Sequence, residues 1–572
     1  MAVDDLVEPS GAEPAEAPGV TEATETTEPA EPGRRARVRR VAARVLTGLA
    51  AALLLFALVV PNQPSQLTPA AFLRIPAEGL IAAGLLLALP ANRWRRLAAV
   101  LLGIVIGALL IVKTIDIGFF GVLDRPFDLV LDWPMFGPTV KFLADSYGET
   151  LARLLAAAAV LLAVAVLVLM PLALLRVTPL LVRWRTRAAG VVGVLAAGWV
   201  AFALAGVQIV PGVPLAAHNA GRFEQVYDSL RDAEVFATQL AHDEFRYVPD
   251  DRLLTALRGK DVVLAFVESY GRSVVDPTAD PELAAGLTDV LADGDHRLTA
   301  AGFSTRSGFL TSPTAGGGSW LAHATLLSGL WVDNQQRYDT LASSDRLTLL
   351  HAFQRAGWRT VGVHPGVTLP LDYRAAGYDA FYMNQDMGYQ GPSLTWNHVP
   401  DQYTLSFFER AARSGESEQP VMGELGLLSG HLPWFQPPQL VDWDAVGDGS
   451  IFHGMESESD PQEAMATDPD RARPAYVKAI AYSVRTIVSY LETFGDDDLV
   501  MIIVGDHQPA SVVTGSGASH DVPISIVSRD PAVLDRIAGW GWTPSLRPDP
   551  AAPVWPMDGF RDRFLTAYGS PP

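Results

Sequence analysis

The chain has 572 residues, 49% of them hydrophobic, no cysteine and a formal net charge of −20. The missing cysteine excludes disulfides, cysteine metal sites and a cysteine nucleophile. The acidic balance speaks against a nucleic-acid partner, which needs basic patches to neutralise phosphate. A mean hydropathy of +0.19 is high for a wholly soluble protein.

Residues 1–33 are mostly Glu, Ala, Pro and Thr. Such a segment cannot bury enough apolar surface to offset its ordering entropy, so it reads as a disordered acidic tail. It is too acidic and polar for a signal peptide. A basic run, "RRARVRR" (34–40), then abuts "VAARVLTGLAAALLLFALVVP". That stretch has about the 20 residues a helix needs to cross a bilayer. Four more apolar runs lie near 70–90, 97–118, 150–176 and 188–211, the second interrupted at its start by Arg74, Pro76 and Glu78. Five such runs in succession predict a five-span α-helical transmembrane bundle over 34–214.

The loops set its orientation. "RRARVRR", "ANRWRR" and "RVTPLLVRWRTR" are basic, whereas "NQPSQLT" is uncharged and 119–149 is mixed, with several Asp. Lys and Arg favour the cytoplasmic side. The N-terminus is therefore expected inside the cell. After five crossings, everything beyond a connecting segment at 215–259 is expected outside the cytoplasm.

From 260 to 572 the pattern is globular. "DVVLAFVESY", "WRTVGVHPG", "DDLVMIIVGDHQP" and, less clearly, "QPVMGELGLLSGHLP" are short apolar runs ending in polar residues. Helical patterns such as "RLTLLHAFQRAGW" and "AYVKAIAYSVRTIVSYLETFG" lie between them. This alternation predicts an α/β domain with a mostly parallel central sheet covered on both faces. Residues 436–475 read as a long polar surface loop. Functional groups in open α/β sheets gather at the carboxyl ends of strands. Those ends carry Glu268, His364, His431 and the pair Asp506–His507.

Alone, Glu268 is a strand-end carboxylate, and Asp506–His507 could be a helix cap beside a surface histidine. Together with a hydroxyl they form a hard oxygen and nitrogen set for one Mn²⁺, Mg²⁺ or Zn²⁺. Such an ion can activate an alcohol and bind a phosphate oxygen. The hydroxyl could come from "SPTAGGGSWLAHATLLSG" (312–329), where three glycines precede a helical pattern. The glycines let the backbone approach a ligand, and the helix start offers N–H groups to an anion. The same stretch also reads as a flexible turn capped by Ser319.

These residues resemble the sulfatase-like branch of the alkaline phosphatase superfamily. With the spans, the architecture is similar to lipoteichoic acid synthase and its phosphoglycerol-transferase relatives. "FVES" puts Glu268, and "VGDHQP" puts Asp506 and His507, on the family's metal ligands. "SGHLPW" puts His431 on its substrate-binding histidine, and "WNHVPDQYTLSFF" matches a segment with a tryptophan, a Pro-Asp and a helix. Relatives place the nucleophile in Cys/Ser-x-Pro-x-Arg, ending ten residues on in a glycine. "SWLAHATLLSG" puts Ser319 there, as nucleophile and metal ligand, with Ser328–Gly329 at the end.

The motif departs from the family: Leu321 or Ala322 replaces the proline and His323 the arginine. This puts sulfate-ester hydrolysis through formylglycine in doubt. Transferase relatives use threonine, which keeps Thr314 as an alternative nucleophile. The resemblance offers His364, Arg374 (with Asp372), His323 and His520 as substrate contacts. A turn histidine, a surface ion pair and a helix-surface histidine are the plainer readings of the first three. Trp320 and Trp434 flank the site as apolar walls.

The resemblance implies a phospholipid donor, since ATP is not expected outside the cytoplasm. It implies a glycan, lipid or polymer hydroxyl as acceptor, with phosphoglycerol or phosphoethanolamine transferred through a phospho-serine. A sulfatase-like hydrolase, or a non-catalytic membrane scaffold with a degenerate site, is the alternative.

Overall fold

The computed structural model describes residues 34–570 except 74, 206–216, 368–373, 375, 393–398, 415–418, 435, 456–464 and 466. The acidic tail at 1–33 therefore lies outside the described residues.

Four segments are long and apolar enough to cross a membrane: Ala36–Val59, Pro69–Ala88, Arg93–Leu123 and Glu149–Arg183. The second is a 3-10 turn, Pro69–Leu73, followed by the helix Ala77–Ala88, which matches the broken start of that run. The fifth predicted run is not among the four. Its described part is the helix Arg185–Leu204, opened by Arg185 and Arg187, and its end falls within 206–216. Leu54, Ala99, Ile106, Met170 and Leu174 form the bundle's small core. Its apolar outer surface is bare: Leu154, Val160, Leu161 and Leu162 are 62–69% exposed. So large an apolar surface suits lipid rather than water.

The helix Ala217–Ala241 joins the bundle to the rest of the chain. On one side Arg222 pairs with buried Asp116 of the Arg93–Leu123 helix and donates to Phe127 O at 2.7 Å. On the other, Phe236 is buried against Leu321, Leu330 and Val332, so the connecting helix packs directly on the Ser319–Ser328 helix. Asp232 and Arg337 pair across the same junction.

The sheet has eight strands. They are β1 (Asp261–Val267), β2 (Ser304–Thr311), β3 (Arg359–His364), β4 (Ala380–Met383), β5 (Val421–Leu427), β6 (Leu499–Gly505), β7 (Asp521–Ser528) and β8 (Val554–Pro556). Their order is β4-β3-β5-β1-β6-β7-β2-β8. Only β7 runs against the rest: it is antiparallel to β6 and β2, while the other neighbours pair in parallel. The expected mostly parallel sheet is present. One apolar cluster packs beneath the Pro281–Ala300 and Pro469–Phe494 helices, a second beneath Ser319–Ser328 and Gly559–Tyr568. β1, β5 and β6 lie between them, buried on both faces, which is why their sequences are continuous apolar runs.

The expected loop at 436–475 is only partly one. Val446 and Phe452 are buried in it, and a helix already begins at Pro469. Pro at the first helical position and Asp468 as cap explain that early start.

Candidate active site

Because these strands run the same way, the carboxyl ends of β1, β3, β5 and β6 share one edge of the sheet. Glu268 follows β1, His364 ends β3, His431 follows β5, and Asp506–His507 follows β6. The loop after β2 brings Ser319 to the same edge, as the first residue of the Ser319–Ser328 helix. Gly318, in the left-handed region at φ 81°, caps that helix, a conformation that favours glycine.

Ser319 Oγ donates to Glu268 Oε2 at 3.0 Å and lies 3.2 Å from His507 Nε2. His507 Nε2 is 3.4 Å from Glu268 Oε1 and 3.6 Å from Asp506 Oδ2. His507 Nδ1 lies 2.8 Å from Gln508 O. Donation to that carbonyl leaves the Nε2 lone pair aimed at the carboxylates. Asp506 Oδ1 accepts from the main-chain N–H of Ser269 at 2.8 Å and of His507 at 2.7 Å. Ser269 is held in the left-handed region, at φ 58°. Its hydroxyl donates to Glu268 at 2.9 Å, and Tyr476 secures its carbonyl at 2.9 Å.

Both carboxylates are buried, and the charges respond. Burial alone would raise the Glu268 pKa. The charges of His431 and His507, with hydrogen bonds from Ser269 and Ser319, outweigh it and hold the carboxyl at about 2. Burial and then the charge of Glu268 push Asp506 up to about 7. Burial opposes the charged form of His507, but Asp506 and Glu268 raise its pKa. Glu268, Asp506 and His507 can each bring one ligand atom within 4.8 Å of the others. Two carboxylates, one imidazole lone pair and an adjacent hydroxyl fit a single divalent ion, whose charge would offset the crowded negative charge.

The other predicted residues divide. His431 Nδ1 is 2.5 Å from Leu432 O, and its charge reaches Glu268. Thr314 donates to Gly317 O at 2.5 Å, so its hydroxyl is engaged within its own loop. Arg374 sits in an exposed turn whose carbonyl accepts from Gly377; Asp372 and Trp396 lie outside the described residues. His520 precedes β7 and interacts electrostatically with Asp124 at the end of a membrane helix. Trp320 bonds Gln335 at 3.1 Å, and Trp434 is buried, bonding Gly430 O at 2.7 Å.

His323 and His364 meet at a residue the sequence reading passed over. Glu424, in the middle of β5, accepts from His323 Nδ1 at 2.9 Å, from His364 Nε2, and from the Tyr378 hydroxyl at 2.8 Å. Burial opposes its charge, but His364 and His323 hold its carboxyl far below the usual range. Burial lowers the His323 pKa despite Glu424. The glutamate in "VMGELGLL" breaks an apolar strand, which was the available signal. Asp401 was also missed as a positioning group. It accepts from Ser429 N at 3.0 Å and Ser483 Oγ at 2.6 Å, pinning the turn that leads to His431.

A serine, two carboxylates and an imidazole thus meet at one edge of a mostly parallel sheet. Residues 260–523 match the Sulfatase family model, a family of enzymes that use a divalent ion. No curated protein matches the chain. Solved structures similar to it include the integral membrane lipooligosaccharide phosphoethanolamine transferase A of Neisseria meningitidis. That match has 13% identity, covers 92% of this chain and 95% of the other, and has a TM-score of 0.45. A lipoteichoic acid synthase of Listeria monocytogenes matches at 13% identity, with 55% and 74% coverage and a TM-score of 0.36. A phosphoglycerol transferase of Streptococcus pyogenes, in complex with sn-glycerol-1-phosphate, matches at 12% identity, with 59% and 90% coverage and a TM-score of 0.34.

Asp401 yields a pH prediction. Burial raises its folded pKa from 3.8 to about 6. The fold therefore favours the protonated form, and stability falls as pH rises from about 4 to about 6. Asp401→Asn removes that cost, worth about 2–3 kcal/mol above the window. Melting curves should show the variant gaining over wild type at about pH 8 and gaining little at about pH 4.

Proposed function

We propose that the protein is a membrane-bound, metal-dependent phosphotransferase. It takes phosphoglycerol or phosphoethanolamine from a phospholipid and passes it to a hydroxyl of an envelope glycan, lipid or polymer. The observation that carries this reading is Ser319 Oγ at 3.0 Å from Glu268 and 3.2 Å from His507, at the start of a helix.

In the first half-reaction Ser319 Oγ gives up its proton to the Glu268–His507 side and bonds to phosphorus as the phosphorus–oxygen bond to diacylglycerol breaks. The departing oxygen takes up a proton. In the second, the acceptor hydroxyl attacks phosphorus and gives up its proton. The bond to Ser319 breaks, Oγ takes back a proton, and the enzyme is restored. The hydrogen bond to Glu268 points the serine proton into the cluster and leaves an oxygen lone pair for phosphorus. The N-terminus of the Ser319–Ser328 helix favours the anionic phosphoryl group. His431, with Nδ1 turned to Leu432 O, serves as the proton carrier for departing or arriving oxygens. Glu268, Asp506 and His507, with Ser319, would hold a divalent ion, Mn²⁺ foremost, that lowers the serine pKa and offsets phosphoryl charge.

Contact between the site's loops and a membrane helix supports a lipid donor. A Cβ at Gly316 would stand 1.6 Å from Val122 O, and Gly316 has φ 71°. Ser511 donates to Gly121 O at 3.0 Å, and Gly517 N donates to Asp124 at 2.6 Å. The loops flanking Ser319 and His507 thus rest on the end of the Arg93–Leu123 helix. Basic loops keep the N-terminus cytoplasmic. With Arg185–Leu204 as a fifth crossing, the catalytic domain lies outside the cytoplasm.

Transfer of labelled headgroup from phospholipid to acceptor is expected to fall at least about 10³-fold in Ser319→Ala and to survive in Thr314→Ala. The reverse pattern contradicts the assignment, and headgroup release with no acceptor present makes the enzyme a hydrolase. The absence of cysteine gives a clean topology test. Tyr247 is 85% exposed, and Tyr247→Cys should react with an impermeant maleimide on intact cells. Labelling only after lysis contradicts the orientation.

A further inference from the structure

Glu424 plays no part in that mechanism, yet it is a fully enclosed carboxylate close to it. Its relative exposure is 0%. Among the described residues its ion-pair partners are two histidines, with no Lys or Arg. A buried carboxylate needs positive charge close by. Here that charge must come from an imidazolium or from a bound cation.

The surroundings are built to hold the donors still. Phe266 stacks on the His323 ring at 3.7 Å and 14°, and Phe381 on the His364 ring at 5.3 Å and 7°. Two glycines make the room. A Cβ at Gly426 would stand 3.0 Å from His364 Nδ1, and one at Gly362 would stand 2.4 Å from the Phe381 ring. Tyr378 donates to Glu424 Oε2 at 2.8 Å, the outer-shell bond typical of a ligating carboxylate. The three side chains can each bring one ligand atom within 4.8 Å of the others.

We propose that His323 Nδ1, His364 Nε2 and the Glu424 carboxylate bind a second divalent ion, separate from the Glu268–Asp506–His507 group. Two imidazole nitrogens and a carboxylate make Zn²⁺ the favoured ion, at bond lengths of about 2.0–2.2 Å. Binding needs lone pairs on both named nitrogens, so any proton on them moves to the other nitrogen of its ring or to solvent. His323 lies one helical turn after Ser319, about 6 Å along the axis. The ion would pin the nucleophile's helix to β3 and β5. The site does not depend on which reaction Ser319 performs.

The test is metal stoichiometry on full-length, tag-free protein in detergent, stripped with chelator, reloaded with Zn²⁺ and dialysed. Two ions per chain are expected in wild type, one in His364→Ala and one in His507→Ala. A single ion in wild type, kept by His364→Ala and lost by His507→Ala, overturns the proposal and leaves a self-satisfied hydrogen-bond network. Should His364→Ala fail to fold, Co²⁺ titration of stripped wild type decides. Its visible absorption should saturate at two equivalents, and saturation at one overturns the second site.

Discussion

Two buried carboxylates on neighbouring central strands are the constraint on which the site depends. Glu268 and Asp506 follow β1 and β6, which pair in register from Asp261↔Leu499 to Val267↔Gly505. The sheet therefore forces their charges together away from water. His507 lies between them, and the hydroxyls of Ser269 and Ser319 turn toward Glu268. These groups answer negative charge. A divalent ion would complete that answer, and on the proposed reading it would activate the adjacent Ser319 hydroxyl.

The rest of the molecule holds that arrangement in place. Apolar clusters on both faces fix the strands. The Ser319–Ser328 helix is braced by Phe236 from the connecting helix. At its far end, Arg346 donates to Ser328 O at 3.0 Å while pairing with Asp243, which also pairs with Arg561. The end of a membrane helix supports the glycine loop before Ser319. Catalytic domain and bundle are thus joined at the site itself as well as by the connecting helix.

Much of this could be read from the sequence because buried parallel strands leave a strong pattern. β1, β3, β5 and β6 were visible as apolar runs, and their polar ends marked the site. β2, "STRSGFLT", was not, because five of its eight residues are polar even though only Ser304 is exposed. The edge strands β4 ("AFYM") and β8 ("VWP") are apolar but only four and three residues long, too short to stand out as strands. Glu424 was passed over although it breaks an apolar strand, because that break alone says nothing of its role. Its meaning depends on His323 and His364, which are distant in sequence. Asp401 stood in the quoted Pro-Asp segment, but its positioning role rests on Ser429 and Ser483, which are distant in sequence. The span count was hardest where arginines open the Arg185–Leu204 helix and shorten the apolar run.

The central claim is that Ser319 carries the transferred group. The most direct measurement is peptide mass spectrometry after incubating the full-length protein with Mn²⁺ and mixed bacterial phospholipids and quenching in acid. The account predicts a phosphoglycerol or phosphoethanolamine adduct on Ser319 that is absent in His507→Ala. An adduct on Thr314, a formylglycine at position 319, or an unmodified Ser319 peptide under turnover would contradict it.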